Sequence, residues 1–573
     1  MFKIIFKWSC FLLLLQTSVA QNPLQIPPLL SGTTFTLTIQ SGTQQFYSGF
    51  NTPTYGINGV WMAPTLLLNK GDSVTLNVRN NLNNFTTLHW HGFHVAAKND
   101  GGPHQIIVQN GGTWNPSFKV RNDAGTFWYH PHGVNKTDLH VSKGIAGMII
   151  IKDALESALT LPRNYGVDDI PVIVQSKAFD VFKQIAIATE SDTAIFVNGT
   201  LHALASLPAQ VVRLRFLNGS SMRTYNFGFT GNLPFYLIAT DGGLIDAPIT
   251  LTRLRLSPGE RAEVLVDLSG MQSQTIYLKS FASEFPNGIY GAAIVGGGAA
   301  DIPGYTLNPL NGVDFDIMQI NIIAPTVSPV TIIPAALTTN TVWPLSSVNV
   351  NRRIELKPSL PDSSHMAEGP FWMNGEKFEM DSINEIIRLN NVEMWNIVNK
   401  TLIAHPFHIH DIQFYIVDVN GNPPPAYENG KKDVVLVMPG DSVRFITKFE
   451  DFADDMMPYM YHCHLLHHED DDMMGQFIVI DTTKTSVHEQ REEQELIMFP
   501  TPCFSKINIH YSSNHSFEID YSIINLLGQT VTGRKALVTN GESEIYISDL
   551  KEGIYILKIK DHERLRTFKI IKQ

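Results

Sequence analysis

The sequence predicts an all-β chain built from repeated sandwiches or barrels, and three observations carry that expectation. Short β-branched runs recur, at residues 33–39, 73–78, 210–216, 262–266 and 443–447. Gly, Pro and Asn separate them, as turns between strands require. Helical periodicity is scarce. Together these suit a sandwich or barrel rather than a helical or mixed fold.

The elements follow in order. The N-terminus starts Met1-Phe2-Lys3, carries Lys7, continues through an apolar stretch around 11–15 and reaches Ser18-Val19-Ala20. A basic start, a short apolar middle and small residues at the cut site describe a secretory signal over 1–20, with cleavage expected after Ala20. A membrane anchor would need a longer apolar run. Three related β-domains are expected next, at 21–155, 160–300 and 350–483. Ile57-Asn58-Gly59, Val197-Asn198-Gly199 and Met373-Asn374-Gly375 each precede a candidate strand, at 73–79, 211–217 and 392–398. Those strands close on Asn80, Asn218 and Asn399. A Pro-Gly turn feeding a strand recurs at Pro258-Gly259 and Pro439-Gly440, so an internal repeat is expected. Residues 300–350, rich in Pro, Thr and Asn, read as a linker. A charged run at 489–495 leads into a smaller domain of alternating strands, 496–573.

A chain of 573 residues has room for several domains. The net charge of -12, with no basic run, argues against nucleic acid as a partner. Of the 3 cysteines, Cys10 leaves with the signal, Cys463 lies among histidines and Cys503 reads as a spare thiol. A Cys463–Cys503 disulfide is an open alternative in an oxidising compartment.

Four histidine clusters carry the chemistry: His89-Trp90-His91-Gly92, His130-Pro131-His132, His405-Pro406-Phe407-His408-Ile409-His410, and Tyr461-His462-Cys463-His464, which runs on to His467-His468-Glu469. Imidazole and thiolate together favour a borderline or soft metal, copper above all. Successive side chains of a strand point to opposite faces. His462 and His464 therefore face one way and Cys463 the other, so one short segment can serve two metal centres. His408 and His410 share a face, and His405 can turn toward Cys463. The clusters fall only in the first and third copies. The second reads Met222-Arg223-Thr224-Tyr225-Asn226 at the matching place, which makes it a spacer between two domains that share metals.

These motifs, in this order, resemble the multicopper oxidase family, which includes laccases, bilirubin oxidases and cuprous oxidases. The resemblance implies three cupredoxin-like Greek-key β-barrel or sandwich domains and a small C-terminal β-sandwich. It also implies four copper ions. His405, Cys463 and His468 would hold the type 1 copper, with Met473 as axial ligand and Met474 as the alternative. His89 and His408 would hold type 2, and His91, His130, His132, His410, His462 and His464 the type 3 pair. Asp100 and Glu469 match acids that bring protons to dioxygen. The implied activity is one-electron oxidation of phenolic, aromatic or metal-ion donors, coupled to four-electron reduction of dioxygen to water. A copper carrier, a structural relative and a copper nitrite reductase are the alternatives. Thr401 and Ile403 depart from the cuprous-oxidase pattern. Asp454-Asp455-Met456-Met457, Met460 and Asp470-Asp471-Asp472 could receive a metal ion, or be solvated acids and core methionines. His94, His104, His140 and His467 lie outside the motifs and read as supporting or surface groups. The tail resembles the C-terminal sorting domain of the type IX secretion system, through Gly553-Ile554-Tyr555 and Lys569-Ile570-Ile571-Lys572. It has Pro500-Thr501-Pro502 where Pro-Asn-Pro is usual. That implies export by a secretion machinery to the surface or medium, with the periplasm as alternative.

Overall fold

The computed structural model describes residues 21–573 except 188, 190, 298–307, 361–368, 484–495, 501, 512–515, 526–528, 540 and 562–563. The expected export signal and the charged run 489–495 lie outside the described residues. The chain is all-β, in three successive cupredoxin-like sandwiches and a smaller one.

Each large unit repeats one arrangement. Its first long strand runs parallel to the strand that closes on asparagine: Thr34–Tyr47 beside Ser73–Asn80, Asp169–Phe179 beside Val211–Asn218, and Val350–Pro358 beside Val392–Asn399. The asparagine explains why the motif recurs, because one amide both donates and accepts. Asn80 Nδ2 donates to the carbonyls of Asn84 and Ile107, Asn218 Nδ2 to those of Arg223 and Leu256, and Asn399 Nδ2 to those of Ile403 and Val437. Each Oδ1 accepts the backbone N–H two residues on. One side chain thus ties two buried loops to a strand end. The Asn-Gly turns work similarly. Asn58, Asn198 and Asn374 adopt positive φ, which asparagine tolerates, and accept the N–H groups of Thr38, Ile173 and Glu355.

Every unit has its own apolar core. Leu37, Leu66, Val78 and Phe127 mark the first, Val172, Leu214, Phe227 and Val264 the second, and Ile354, Trp395, Phe407 and Phe445 the third. The tail closes over Ile507, Ile519, Leu557 and Ile570.

Two expectations need correcting. The 300–350 linker contains a strand, Phe315–Ile323, which completes a sheet of the second unit by pairing with Ala203–Pro208 and Thr275–Ser280. Its alternating burial outweighs the Pro- and Thr-rich flanks. The disulfide alternative also fails, because both described cysteines are free and buried. Cys463 belongs to the third unit's core, whereas Cys503 belongs to the tail's, where its thiol donates to the Ile571 carbonyl.

Candidate metal centre

Strand pairing assembles the histidines before any metal is considered. In the first unit, His89–His91 runs antiparallel to Gly125–His130, with His89 opposite His130. In the third, His405–Ile409 runs antiparallel to Asp454–Cys463, with His408 opposite His462. Alternation then sends His462 and His464 toward the first unit and Cys463 into its own core.

On the core side, Cys463 Sγ lies 3.5 Å from His405 Nδ1 and 3.8 Å from His468 Nδ1, and the two nitrogens are 3.3 Å apart. Donors about 2 Å from one trigonally bound ion stand about 3.5 Å apart, so this triangle fits a single ion. The short helix Leu466–Asp470 turns the chain so that His468 comes back to Cys463. Met473 is fully buried in the same core and its carbonyl accepts the Cys463 N–H, whereas Met474 packs on the opposite side beside Met460. Of the two methionines, only Met473 is on the sulfur's side. Burial pushes the Cys463 thiol up, so its ionisation needs a metal.

Between the units, eight buried imidazoles converge, seven of them oriented by the outer nitrogen and His464 with its Nδ1 buried and unpartnered. His89 Nδ1 lies 3.0 Å from the Asp100 carbonyl, His130 Nδ1 2.8 Å from that of Pro131, and His408 Nδ1 2.7 Å from that of Asp433. His410 Nδ1 lies 2.7 Å from Asp100 Oδ2. Glu469 spans two rings, its Oε1 3.3 Å from His132 Nδ1 and its Oε2 3.2 Å from His462 Nδ1. The Thr137 hydroxyl donates to Glu469 Oε1 at 2.6 Å. His91 is reversed, with its Nε2 3.1 Å from Asp433 Oδ1.

The inner nitrogens form two triads and a pair. His91 Nδ1 lies 3.4 Å from His130 Nε2 and 3.3 Å from His464 Nε2. His462 Nε2 lies 3.1 Å from His132 Nε2 and 3.3 Å from His410 Nε2. His89 Nε2 and His408 Nε2 are buried with no hydrogen-bond partner. Burial holds His91, His130, His132, His408, His410 and His464 well below the ordinary imidazole range. Those six rings are therefore neutral. Lone pairs crowded together in a dry interior repel one another unless cations lie between them, and this is the arrangement a multinuclear site requires.

The second unit is no spacer. Its Arg261 is fully buried and forks onto Asp433 of the third unit, at 2.5 and 2.6 Å, and Asp433 in turn holds His91 of the first. Arg261 Nη2 also donates to the Asp241 carbonyl. The Pro258-Gly259 turn lies against His464. A Cβ on Gly259 would come within 2.9 Å of that ring, and its φ of +88° favours glycine. The second unit therefore lacks ligands yet forms part of the site wall. Sequence reasoning missed Asp433 and Arg261. A signal existed in Lys431-Lys432-Asp433, three charges leading straight into the apolar strand Val434–Val437.

The remaining candidates have structural partners. His94 pairs with Asp411 at 2.9 Å, His104 Nε2 meets Gln476 at 2.9 Å, and His140 lies between Thr86 and Asn84. His467 is near Asp471 on the surface. Asp470 accepts the N–H groups of Thr137 and Asp138, and Asp472 pairs with Lys377. The Thr401 hydroxyl lies 2.8 Å from His405 Nε2.

Known proteins share this sequence pattern and fold. Family profiles described as multicopper oxidase match residues 38–156, 168–295 and 355–483, and one described as a secretion system C-terminal sorting domain matches 497–573. The chain is 33% identical to the multicopper oxidase mco of Staphylococcus haemolyticus, over 78% of its own length and 88% of that protein. It is 31% identical to the cell division protein FtsP of Photorhabdus laumondii, over 80% and 93% respectively. It superposes with a TM-score of 0.71 on a bacterial laccase-like multi-copper oxidase from Ochrobactrum described as active toward lignin model compounds and lignosulfonate. That match has 31% identity and covers 80% of this chain and 100% of the other.

Proposed function

The chain belongs to the multicopper oxidase family, and from that premise we propose that it oxidises an aromatic donor one electron at a time beside Cys463 and reduces dioxygen to water at the histidine cluster. It is a copper oxidoreductase that carries an export sorting domain. The observation that carries the finer reading is the convergence of buried imidazole nitrogens at 3.1–3.4 Å beside a Cys-His-His triangle.

His405, Cys463 and His468, with Met473, would hold one copper. His89 and His408 would hold a second, and the triads His91-His130-His464 and His132-His410-His462 a pair. Bound copper supplies one-electron transfer at the first site and dioxygen reduction at the others. Cys463 is joined through single peptide bonds to His462 and His464, so electrons collected at its sulfur have a covalent route to the cluster. Glu469 and Asp100 contact cluster histidines and are the acids available to move protons toward reduced oxygen.

The edge of the mononuclear site favours organic donors. The Thr401 hydroxyl closes off His405 Nε2, leaving His468 as the ring nearest the surface, at 4% exposure. Its ring lies 4.9 Å from Phe371 and 6.0 Å from Tyr290. The acids Asp470, Asp471 and Asp472 are engaged with protein partners, which argues against a dedicated metal-ion donor site there.

Copper-loaded protein should be blue and should consume oxygen faster with a phenolic dye than with Cu(I). Full loading without oxygen uptake from any one-electron donor would refute the reading. Replacing the axial thioether, Met473→Leu, should leave the protein blue and raise its midpoint potential, since the axial ligand tunes it. Redox titration checks this. A structural role without redox chemistry gives no reason to bury eight imidazoles around a common centre. Metal analysis separates the two, because a structural protein would hold little or no copper.

A further inference from the structure

A cavity of about 510 Å³ opens where the three large units meet. Small-molecule sites favour such junctions and occupy about 300–1,000 Å³. Its walls include Asn122 and Asp123 of the first unit, Gly242 of the second, Gln413 and Lys431 of the third, and the Thr-rich segment 338–343. Asn340 pins that segment to the second unit. Its N–H and Nδ2 donate to Asp246 Oδ1 at 2.8 and 2.9 Å, and its Nδ2 also to the Leu244 carbonyl. Trp343 then meets Tyr415 of the third unit edge to face, with ring centres 6.0 Å apart. The cavity takes no residue from the mononuclear site.

The charges around this cavity are already paired. Arg121 meets Asp451 at 2.8 Å, Lys431 and Lys70 share Asp123, Lys448 pairs with Glu450, and His94 pairs with Asp411. No cation or anion is left over to select an ionic ligand. The polar groups left over are neutral. The hydroxyls of Thr338, Thr339 and Thr341, the Trp343 indole N–H and Gln413 Oε1 make no hydrogen bond among the described residues. The Tyr415 hydroxyl, on a residue 8% exposed, is buried with no hydrogen-bond partner. Trp343 stands over it, so a ring that enters against Trp343 is placed to complete it.

The half-buried indole of Trp343 offers an apolar face beside a polar tip. Hydroxyls and amides around such a face, without net charge, complement a sugar ring, which presents C–H bonds on its faces and hydroxyls along its rim. A phenol has one hydroxyl, so most of its edge would desolvate polar groups that it cannot satisfy. We propose that this junction binds a neutral saccharide, stacked on Trp343 with its hydroxyls turned to Gln413, the threonines and Tyr415. Such a site holds the protein on a glycan and leaves the donor edge at His468 free. It goes beyond the oxidase reading and does not depend on copper.

Full-length protein, copper-loaded and copper-free, is titrated with cellobiose, xylobiose and chitobiose at millimolar concentration, with catechol as aromatic control. Saturation-transfer NMR reads binding. At least one disaccharide should bind to both forms. Trp343→Ala should weaken it about tenfold, the scale of one aromatic contact, at an unchanged melting temperature. Tyr415→Phe, which keeps the ring and removes the hydroxyl, should weaken it severalfold. Saturating disaccharide should leave KM for a phenolic dye unaltered in the copper-loaded protein. Binding of none of the three, or binding that both variants retain in full, would overturn the site. Displacement of the disaccharide by catechol would overturn its preference for sugar. Competition between disaccharide and dye would overturn its separation from the donor edge. Disaccharide binding by a protein that consumes no oxygen would uphold the site and refute the oxidase reading.

Discussion

Cys463→Ser should give a colourless, inactive protein that is still folded. The sulfur is the one soft anionic donor in its triangle with His405 and His468, and a serine hydroxyl neither ionises as readily nor binds copper as a thiolate does. Oxygen and sulfur differ modestly in size, so the surrounding core of Phe371, Ile403 and Met473 should hold. The cluster histidines His462 and His464 keep their backbone, so copper content should fall by only about one ion of four. Activity should fall by far more than the about 10–100-fold that supporting residues around a metal typically cost. Absorbance, metal analysis and oxygen uptake on one preparation check all three. Substantial residual activity would break the proposed electron route.

Asp433→Ala should be the most damaging change outside the ligand set. The carboxylate is fully buried, takes both arms of Arg261 and orients His91, so its removal leaves a guanidinium without its main partner. Breaking one side of a buried ion pair costs about 3–5 kcal/mol, a large share of the about 5–15 kcal/mol by which a domain is stable. Thermal inactivation should therefore begin at markedly lower temperature. Asp433→Asn keeps the shape and an acceptor for His91, and should separate fold from site. Its stability loss should be smaller, while affinity for copper at the His91-His130-His464 triad drops about 10–100-fold. The blue colour, which depends on Cys463, should survive in Asp433→Asn. Copper content and absorbance distinguish this from general unfolding, which would lose every signal together.

The contrast between these residues shows what the sequence could disclose. Cys463 and its neighbours were legible because strand alternation turns a three-residue string into two opposed faces, and His-x-His fixes both rings on one of them. The repeat was legible for a related reason. An asparagine closing a strand makes its bonds within the loops of its own unit, so the motif stays local. Arg261 and Asp433 stand 172 residues apart, meet only when the second and third units pack together, and reach His91 only when the first joins them. Neither residue type signals a metal by itself. Treating the second unit as a spacer mistook the absence of ligands for the absence of a role. The choice between Met473 and Met474 turned on strand register, which puts one beside Cys463 and the other beside His462. The strand Phe315–Ile323 was hidden by its Pro- and Thr-rich surroundings although its own alternation was intact.

Anomalous diffraction at the copper edge, from crystals of copper-loaded protein, tests the central claim most directly. One peak should lie within about 2–2.3 Å of Cys463 Sγ, His405 Nδ1 and His468 Nδ1. Three more should lie among the eight imidazoles, with Nδ1 of His91 and Nε2 of the others turned toward them. A fully loaded crystal with no copper at that sulfur, or with the two triads splayed apart and empty, would contradict the account.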